Sequence, residues 1–314
     1  MTARLIAPFV VTMGLLVGVV QQWITRHTTH EIYARNTAHS DLSLCHNIDF
    51  KPTHKRAVWT MLTDDPHYVN STLKLGRSLR THTSDVEFDM VWMELSHKPL
   101  SHDAWTCLRE VGWQRCVVHR IVPLDETSIQ MYEPRFLDQF TKLHLWSMTM
   151  YETLVYLDSD TLTLRSIRHL LHHNMSNKSI AAVAQTWHGM FQGFNMGVFV
   201  IRPSRQEYER LLEIQRDPAV QFEAHWAEQG LLNVVYKDKW DDLGFANNAL
   251  AWTSWQRSAY WREQYPTINV IHYVGLKPWT CVPDVLDRVF FANPSGYTHL
   301  CQVWWDAPCE CTAS

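Results

Sequence analysis

The chain has 314 residues, 46% of them hydrophobic and 19% charged, with a formal net charge of -4. This composition excludes a disordered chain and supports one large hydrophobic core or two small ones. No basic stripe runs along it, so nucleic acid is set aside as a partner.

Arg4 and Arg26 bracket an uncharged segment, "LIAPFVVTMGLLVGVVQQWIT", which is apolar from Leu5 to Val20 except for Thr12. It is about the length of a membrane-spanning helix, no small-residue cleavage site follows, and Trp23 suits an interface. A cytoplasmic tip and signal-anchor helix is therefore expected over 1–26, with the rest of the chain in the secretory pathway. Residues 27–55 are polar and aperiodic and read as a stem. Three N-x-Ser/Thr sequons, at Asn70, Asn174 and Asn177, agree with a lumenal body. The seven cysteines (45, 107, 116, 281, 301, 309 and 311) lack the paired spacing of a zinc site. In an oxidising lumen some pair and one is left over, and a buried free thiol is an equal reading for Cys107 or Cys116.

From Ala57 strands and helices alternate. "AVWTMLT" reads as a strand, "PHYVNSTLKLGRSLRTH" as a helix with Pro66 in its first turn, and "VEFDMVWM" as a second strand. A helix follows with Ser101 as N-cap and Gly112 as stop, then the strand "QRCVVHRIV" and a helix over "FTKLHLWSMTMY" that leads into "YETLVYLDSDTLTL". Beyond these come "AAVAQT", the strand "FNMGVFVIRPS", a helix from about Arg205 to Gln215, another around "EQGLLNVVY", and the late strand "INVIHYVG". The alternation predicts a single Rossmann-like α/β domain over 56–285 with a mostly parallel sheet, followed by a helical, cysteine-containing tail over 286–314.

Asp158 and Asp160 end the apolar run Leu154–Leu157. Residues two apart in an extended segment share a face, so the two carboxylates repel each other or take up protons unless a cation sits between them. A divalent metal meets that need, and a turn or helix cap is the competing explanation. In doubly wound sheets ligands bind beyond the carboxyl ends of strands, which is where this pair falls.

Taken together, "TKLHLWSMTMYETLVYLDSDTLTL", "FNMGVFVIRPS", "EQGLLN" and "VIHYVGLKPW" make the chain resemble the glycogenin-like retaining glycosyltransferases of family 8 from about Ala57 to Trp279. That family includes plant xylan glucuronosyltransferases and galactinol synthases, and "HYVGLKPW" and "HLCQVWWDA" look most like the glucuronosyltransferase branch. The resemblance implies a GT-A type nucleotide-diphospho-sugar transferase domain and a manganese-dependent transfer from a UDP-sugar with retention. Glucose or glucuronic acid is the favoured unit, and a glycan or glycoprotein is the acceptor. By matching motif positions, Asp158, Asp160 and His272 hold Mn2+, while Lys277 and the backbone at Gly275 reach the diphosphate. Leu62, Thr63, Asp65 and Tyr68 receive the nucleoside, Lys142 contacts the donor, Asn195 and Gly197 lie against the sugar, and Glu228 and Gln229 cradle it.

The chain departs from the family at Asp65 (Asn in glycogenin), at His225 (an aspartate) and at Glu228 (an aspartate in the Asp-Gln pair). These changes motivate an alternative: a catalytically silent nucleotide-sugar- or glycan-binding scaffold. An acid and nucleophile pair made of Asp158 and Asp160 is rejected, because both lie on one face beside a histidine and a lysine rather than across a glycosidic bond. Trp187 and Phe191 are candidates for an acceptor platform. Tyr260 lies in the region of glycogenin's self-glucosylated tyrosine without aligning to it, so self-glucosylation is not expected. A Golgi location fits the anchor, and a homo-oligomer is left open.

Overall fold

The computed structural model describes Cys45 and residues 50–124, 129, 134–175, 179–187, 190–275, 277–280, 297–309 and 311; for 186–187 and 190–192 only the backbone is described. The expected anchor, most of the stem, the sequon at Asn177 and the side chains of Trp187 and Phe191 lie outside the described residues. Among those described, no helix is long and apolar enough to cross a membrane.

Seven strands form the main sheet: β1 (Arg56–Leu62), β2 (Asp89–Leu95), β3 (Trp113–Val118), β4 (Thr153–Leu157), β6 (Ile180–Trp187), β7 (Met190–Ile201) and β8 (Trp240–Asp242). Their order is β3, β2, β1, β4, β7, β6, β8. All pairings are parallel except those of β7 with β4 and with β6. The mostly parallel sheet expected from the alternation is present, with β7 the one reversed strand. β1 and β2 are buried along nearly their whole length and read as continuous apolar runs, as strands covered on both faces do.

The helices that cover the sheet begin and end where their residues dictate. Asp65 caps Pro66–His82, its Oδ1 accepting from the His67 N–H at 2.8 Å. Ser101 caps His102–Val111 through the Ala104 N–H, and Gly112 closes it at φ +100°. The segment 140–151 departs from the expected regular helix. A turn at Phe136–Gln139 runs into a 3-10 helix over Phe140–Ser147 in which every residue is buried. With no solvent face, the amphipathic period has no hold on its pitch, and tertiary contacts set it instead.

A second sheet, which the sequence reading did not foresee, joins β5 (Thr161–Thr163), β10 (Val270–His272) and β9 (Ala249–Leu250). β10 runs antiparallel to β5 with His272 opposite Thr161, and parallel to β9 with His272 opposite Leu250. A satellite core of Leu162, Ile271, Trp261, Tyr273 and Trp304 lies against it. Trp304 belongs to the helix Tyr297–Asp306, so at least this part of the predicted tail is helical and packed on the body.

The expectation of a free thiol at Cys107 or Cys116 is corrected. Cys45 pairs with Cys116 and Cys107 with Cys311; Cys301 is also disulfide-bonded, and Cys309 is a free thiol. Residues within the expected stem therefore touch the body: Cys45 is bridged and buried, and Phe50 is buried edge-on against Trp59 at 5.9 Å. The sequon at Asn70 lies mid-helix with its Thr72 hydroxyl buried and donating to the Tyr68 carbonyl, unlike the surface loop that glycosylation needs. Asn174 is exposed.

Candidate active site

A cleft of about 390 Å³ opens at the carboxyl ends of β1 and β4, where the strand order reverses between them. Asp158 leaves β4 with its N–H donating to the Gly197 carbonyl on β7 at 2.7 Å, and Asp160 leads directly into β5. The Tyr273 N–H donates to the Asp160 carbonyl at 3.0 Å. This small-sheet register carries His272 across 112 residues of sequence to the acid pair: its Nε2 lies 3.3 Å from Asp160 Oδ1 and 3.6 Å from Asp158 Oδ2. One ligand atom from each of Asp158, Asp160 and His272 falls within 4.8 Å of the others.

The imidazole is aimed from behind. His272 Nδ1 lies 3.0 Å from the side-chain Oδ1 of Asn248, which can accept its proton, and Nε2 is left to face the carboxylates. Asn248 in turn donates to Asn195 Oδ1 at 2.8 Å, and Asn195 donates to Gln185 at 2.8 Å and to Gln229 at 3.2 Å. Gln229 also accepts from the Met196 N–H at 3.0 Å. This chain of buried amides ties β6, β7, the residue before β9 and the helix Glu228–Val235 to His272. Gly197 completes the fit, because a Cβ there would stand 2.0 Å from His272 Cε1. Its small size thus admits the histidine ring, a role the sequence reading had assigned to the sugar.

Charges are also arranged in pairs. The Lys142 ammonium is buried between Glu228 Oε1 at 2.9 Å and Asp158 Oδ1 at 3.0 Å, over the ring of Tyr156. Burial alone would lower the Lys142 pKa, yet Asp158 and Glu228 raise it, so it stays charged. Burial pushes the Glu228 carboxyl above the usual range, against the pull of Lys142. Asp160 is also buried, but Lys277 and His272 overcome that and hold it well below the carboxylate range. Lys277 bonds Asp160 and donates to the Tyr273 carbonyl at 3.1 Å. Three carboxylates face two ammonium groups, an imbalance that a divalent cation would offset. Two carboxylates and one imidazole are a donor set that a divalent metal ion accepts, so the residues present fit such an ion.

Of the nucleoside residues, Thr63, Asp65 and Tyr68 line the cleft. Leu62 does not present its side chain there: it is fully buried in the main core, while its neighbours Met61 and Thr63 face the cleft as strand alternation requires. Asp65 spends one oxygen on its helix cap, which asparagine would satisfy equally well. Gly275 lines the cleft at φ +84°, a left-handed conformation that L side chains rarely adopt. His225, on the 3-10 turn Ala224–Trp226, also lines it.

Sequence reasoning missed Arg135, Asn248 and Gln185. Arg135 lines the cleft and donates to the Tyr68 hydroxyl at 2.6 Å. Asn248 and Gln185 are uncharged amides, and no local spacing marks them.

A doubly wound sheet with an acid pair at a strand end defines the class. The crystal structure of galactosyltransferase LgtC in complex with donor and acceptor sugar analogs superimposes with a TM-score of 0.55, covering 79% of this chain and 94% of that one at 15% identity, which shows a shared GT-A-like fold. The family model "Glycosyl transferase family 8" matches residues 60–281. Rabbit (Oryctolagus cuniculus) glycogenin-1 is 27% identical over 263 residues, 80% of this chain and 74% of that protein. An Arabidopsis thaliana protein provisionally named UDP-glucuronate:xylan alpha-glucuronosyltransferase 4 is 24% identical over 254 residues, but the chain spans only 41% of its length, and only 24% of a Neurospora crassa glycogenin. The chain belongs to glycosyl transferase family 8 and is a glycosyltransferase by that membership.

Proposed function

We propose that this protein is a metal-dependent, retaining transferase that moves a hexosyl or hexuronosyl unit, glucose or glucuronic acid favoured, from a UDP-sugar to a glycan or glycoprotein acceptor. The observation that carries this reading is the convergence of Asp158, Asp160 and His272, with Lys277 and Gly275 beside them in one cleft. Bound Mn2+ would supply positive charge where the diphosphate leaving group develops its negative charge. The chain's own residues do the rest. On this reading Lys277 binds the diphosphate oxygens, Tyr68 and Thr63 hold the base, and Asn195, Gln229 and Glu228 orient the sugar. Glu228 is held by Lys142, and Gln229 by Met196 and Asn195, so neither side chain is presented as an isolated nucleophile. This supports attack from the leaving-group face, with the departing phosphate taking the acceptor proton.

The silent-scaffold alternative loses ground because two of the three departures are accommodated: Asp65 caps a helix, and Glu228 completes an ion pair with Lys142. The Cys45–Cys116 and Cys107–Cys311 bridges support placing the body in an oxidising, lumenal compartment such as the Golgi, behind the anchor expected over 1–26. The test is UDP release from a panel of UDP-sugars with and without Mn2+. Asp158→Asn and Asp160→Asn should each lower turnover roughly a hundredfold or more. Undiminished turnover in both variants would rule the reading out.

A further inference from the structure

Two residues near the cleft take no part in the chemistry described above: Lys74, which is buried, and Trp279, two positions beyond Lys277. Lys277 needs support, because the chain just before it gives little. Gly275 holds φ +84°, and no described atom lies within 4 Å of where a Cβ would stand. The chain after it is stiffer. Pro278 is buried and its ring fixes its φ, while the Lys277 carbonyl accepts from the Thr280 N–H at 3.0 Å and from the Thr280 hydroxyl at 2.7 Å. Lys277 and Trp279 therefore share one closed turn, made of Lys277 and the 3-10 helix Pro278–Thr280. Whatever seats Trp279 also seats the backbone of Lys277.

Trp279 is held on three sides. His67 stacks on it at 5.7 Å with the ring planes 3° apart, Tyr68 meets it edge to face at 4.9 Å, and Trp304 lies 6.0 Å away. Such ring pairs contribute beyond the area they bury. His67 and Tyr68 come from the first turn of the helix Pro66–His82, and Trp304 from the helix Tyr297–Asp306. The two helices are pinned together. Trp304 Nε1 donates to the Ser71 hydroxyl at 3.3 Å, and the Lys74 ammonium lies 4.7 Å from the centre of the Trp304 ring. That ammonium also donates to the Trp305 carbonyl at 3.3 Å and to the Ala307 carbonyl. A lysine only 2% exposed is costly unless its charge is satisfied, and the carbonyls at the end of the second helix satisfy it.

We infer that Trp279 is a positioning residue: seated between the helices Pro66–His82 and Tyr297–Asp306, it fixes the turn that aims Lys277 into the donor cleft. The inference rests on the donor reading above and extends the donor site to the C-terminal helix, with Lys74 as the pin. It accounts for the Lys277 ammonium standing beside Asp160 and 5.9 Å from the centre of the Tyr68 ring.

The test is a double-mutant cycle read as UDP affinity, by calorimetry on the full chain in Mn2+. Trp279→Ala should weaken UDP binding about tenfold, and Trp279→Phe, which keeps a ring in the seat, should restore most of it. In a Lys277→Ala background the same Trp279→Ala change should cost less than about twofold, because the residue it positions is gone. Lys74→Met, which removes the pin, should weaken UDP binding severalfold. A merely structural role for Trp279 would lower affinity by the same factor in both backgrounds. That result, or undiminished affinity in Trp279→Ala or in Lys74→Met, would overturn the inference. Failure of UDP to bind the wild type at all would instead remove the donor reading, and the inference with it.

Discussion

Gly197 and Asn248 do for His272 what no ligand motif records. One leaves room for the ring and the other offers an acceptor to its Nδ1. Asn248→Ala removes the acceptor for the Nδ1 proton and should lower kcat about 10- to 100-fold, the usual effect of losing a partner behind a metal ligand. Gly197→Ala, which drives a methyl into the ring, should lower it at least as far, with circular dichroism showing the fold intact. Full activity in Asn248→Ala would show that the imidazole needs no such support. A second residue-scale prediction concerns acid stability. Asp89 is buried at the start of β2; burial opposes its charge, but bonds from Thr53, His54 and Tyr151 hold its pKa below the usual value. A group whose folded pKa is depressed contributes stability that is complete above its unfolded value, near 3.9, and is lost as the pH falls through the lower folded value. Asp89→Asn should therefore lower the melting temperature at neutral pH and flatten its decline below about pH 4. An unchanged acid limb would contradict that role. Individual charged residues were legible in the sequence because their motifs carry them, whereas Asn248, Gln185 and Arg135 were not: single amides leave no periodic signal, and Arg135 meets the Tyr68 hydroxyl across 67 residues.

At the scale of elements, the long pieces were legible and most of the short ones were not. The helix Pro66–His82 declares itself through Asp65 and Pro66, and His102–Val111 through Ser101 and Gly112. β5 and β9 have three and two residues, too few for a period to register, and they exist because they pair with β10, the strand expected at "INVIHYVG". The site depends on that small sheet, so the sequence could name His272 by motif but not show what brings it to the acids. The helix Glu228–Val235 is set up differently: Ala227 precedes it at φ +49°, a strained conformation for a residue with a Cβ, and puts the Glu228 carboxylate at the helix amino terminus, where the backbone dipole favours negative charge. Ala227→Val should cost about 1–3 kcal/mol of stability, since a branched side chain deepens the strain, while Ala227→Gly should be neutral or stabilising. Chemical denaturation of the two variants checks the order; equal destabilisation by both would remove strain as the explanation.

Across the whole molecule, the Cys107–Cys311 bridge joins a helix on the sheet to the far carboxyl-terminal segment across a sequence separation of 204. A loop of that length restricts the unfolded chain strongly, so Cys107→Ala with Cys311→Ala should lower stability by about 2–5 kcal/mol. Faster hydrogen exchange in the helix Tyr297–Asp306 should accompany it, because Trp304 anchors that helix to the small sheet. A loss confined to other regions would show that packing alone holds the helix. The mostly parallel sheet was legible from alternation, and β7, the reversed strand, was legible as a strand but not in its direction, which follows from its hairpin with β6. A metal-dependent transfer requires that Asp158, Asp160 and His272 together bind a divalent cation. That requirement is tested most directly by titrating Mn2+ into the UDP-saturated protein and following the free ion by electron paramagnetic resonance. One ion should bind per chain, at least tenfold more weakly in Asp160→Asn and in His272→Ala; equal Mn2+ affinity in the wild type and both variants would contradict the claim.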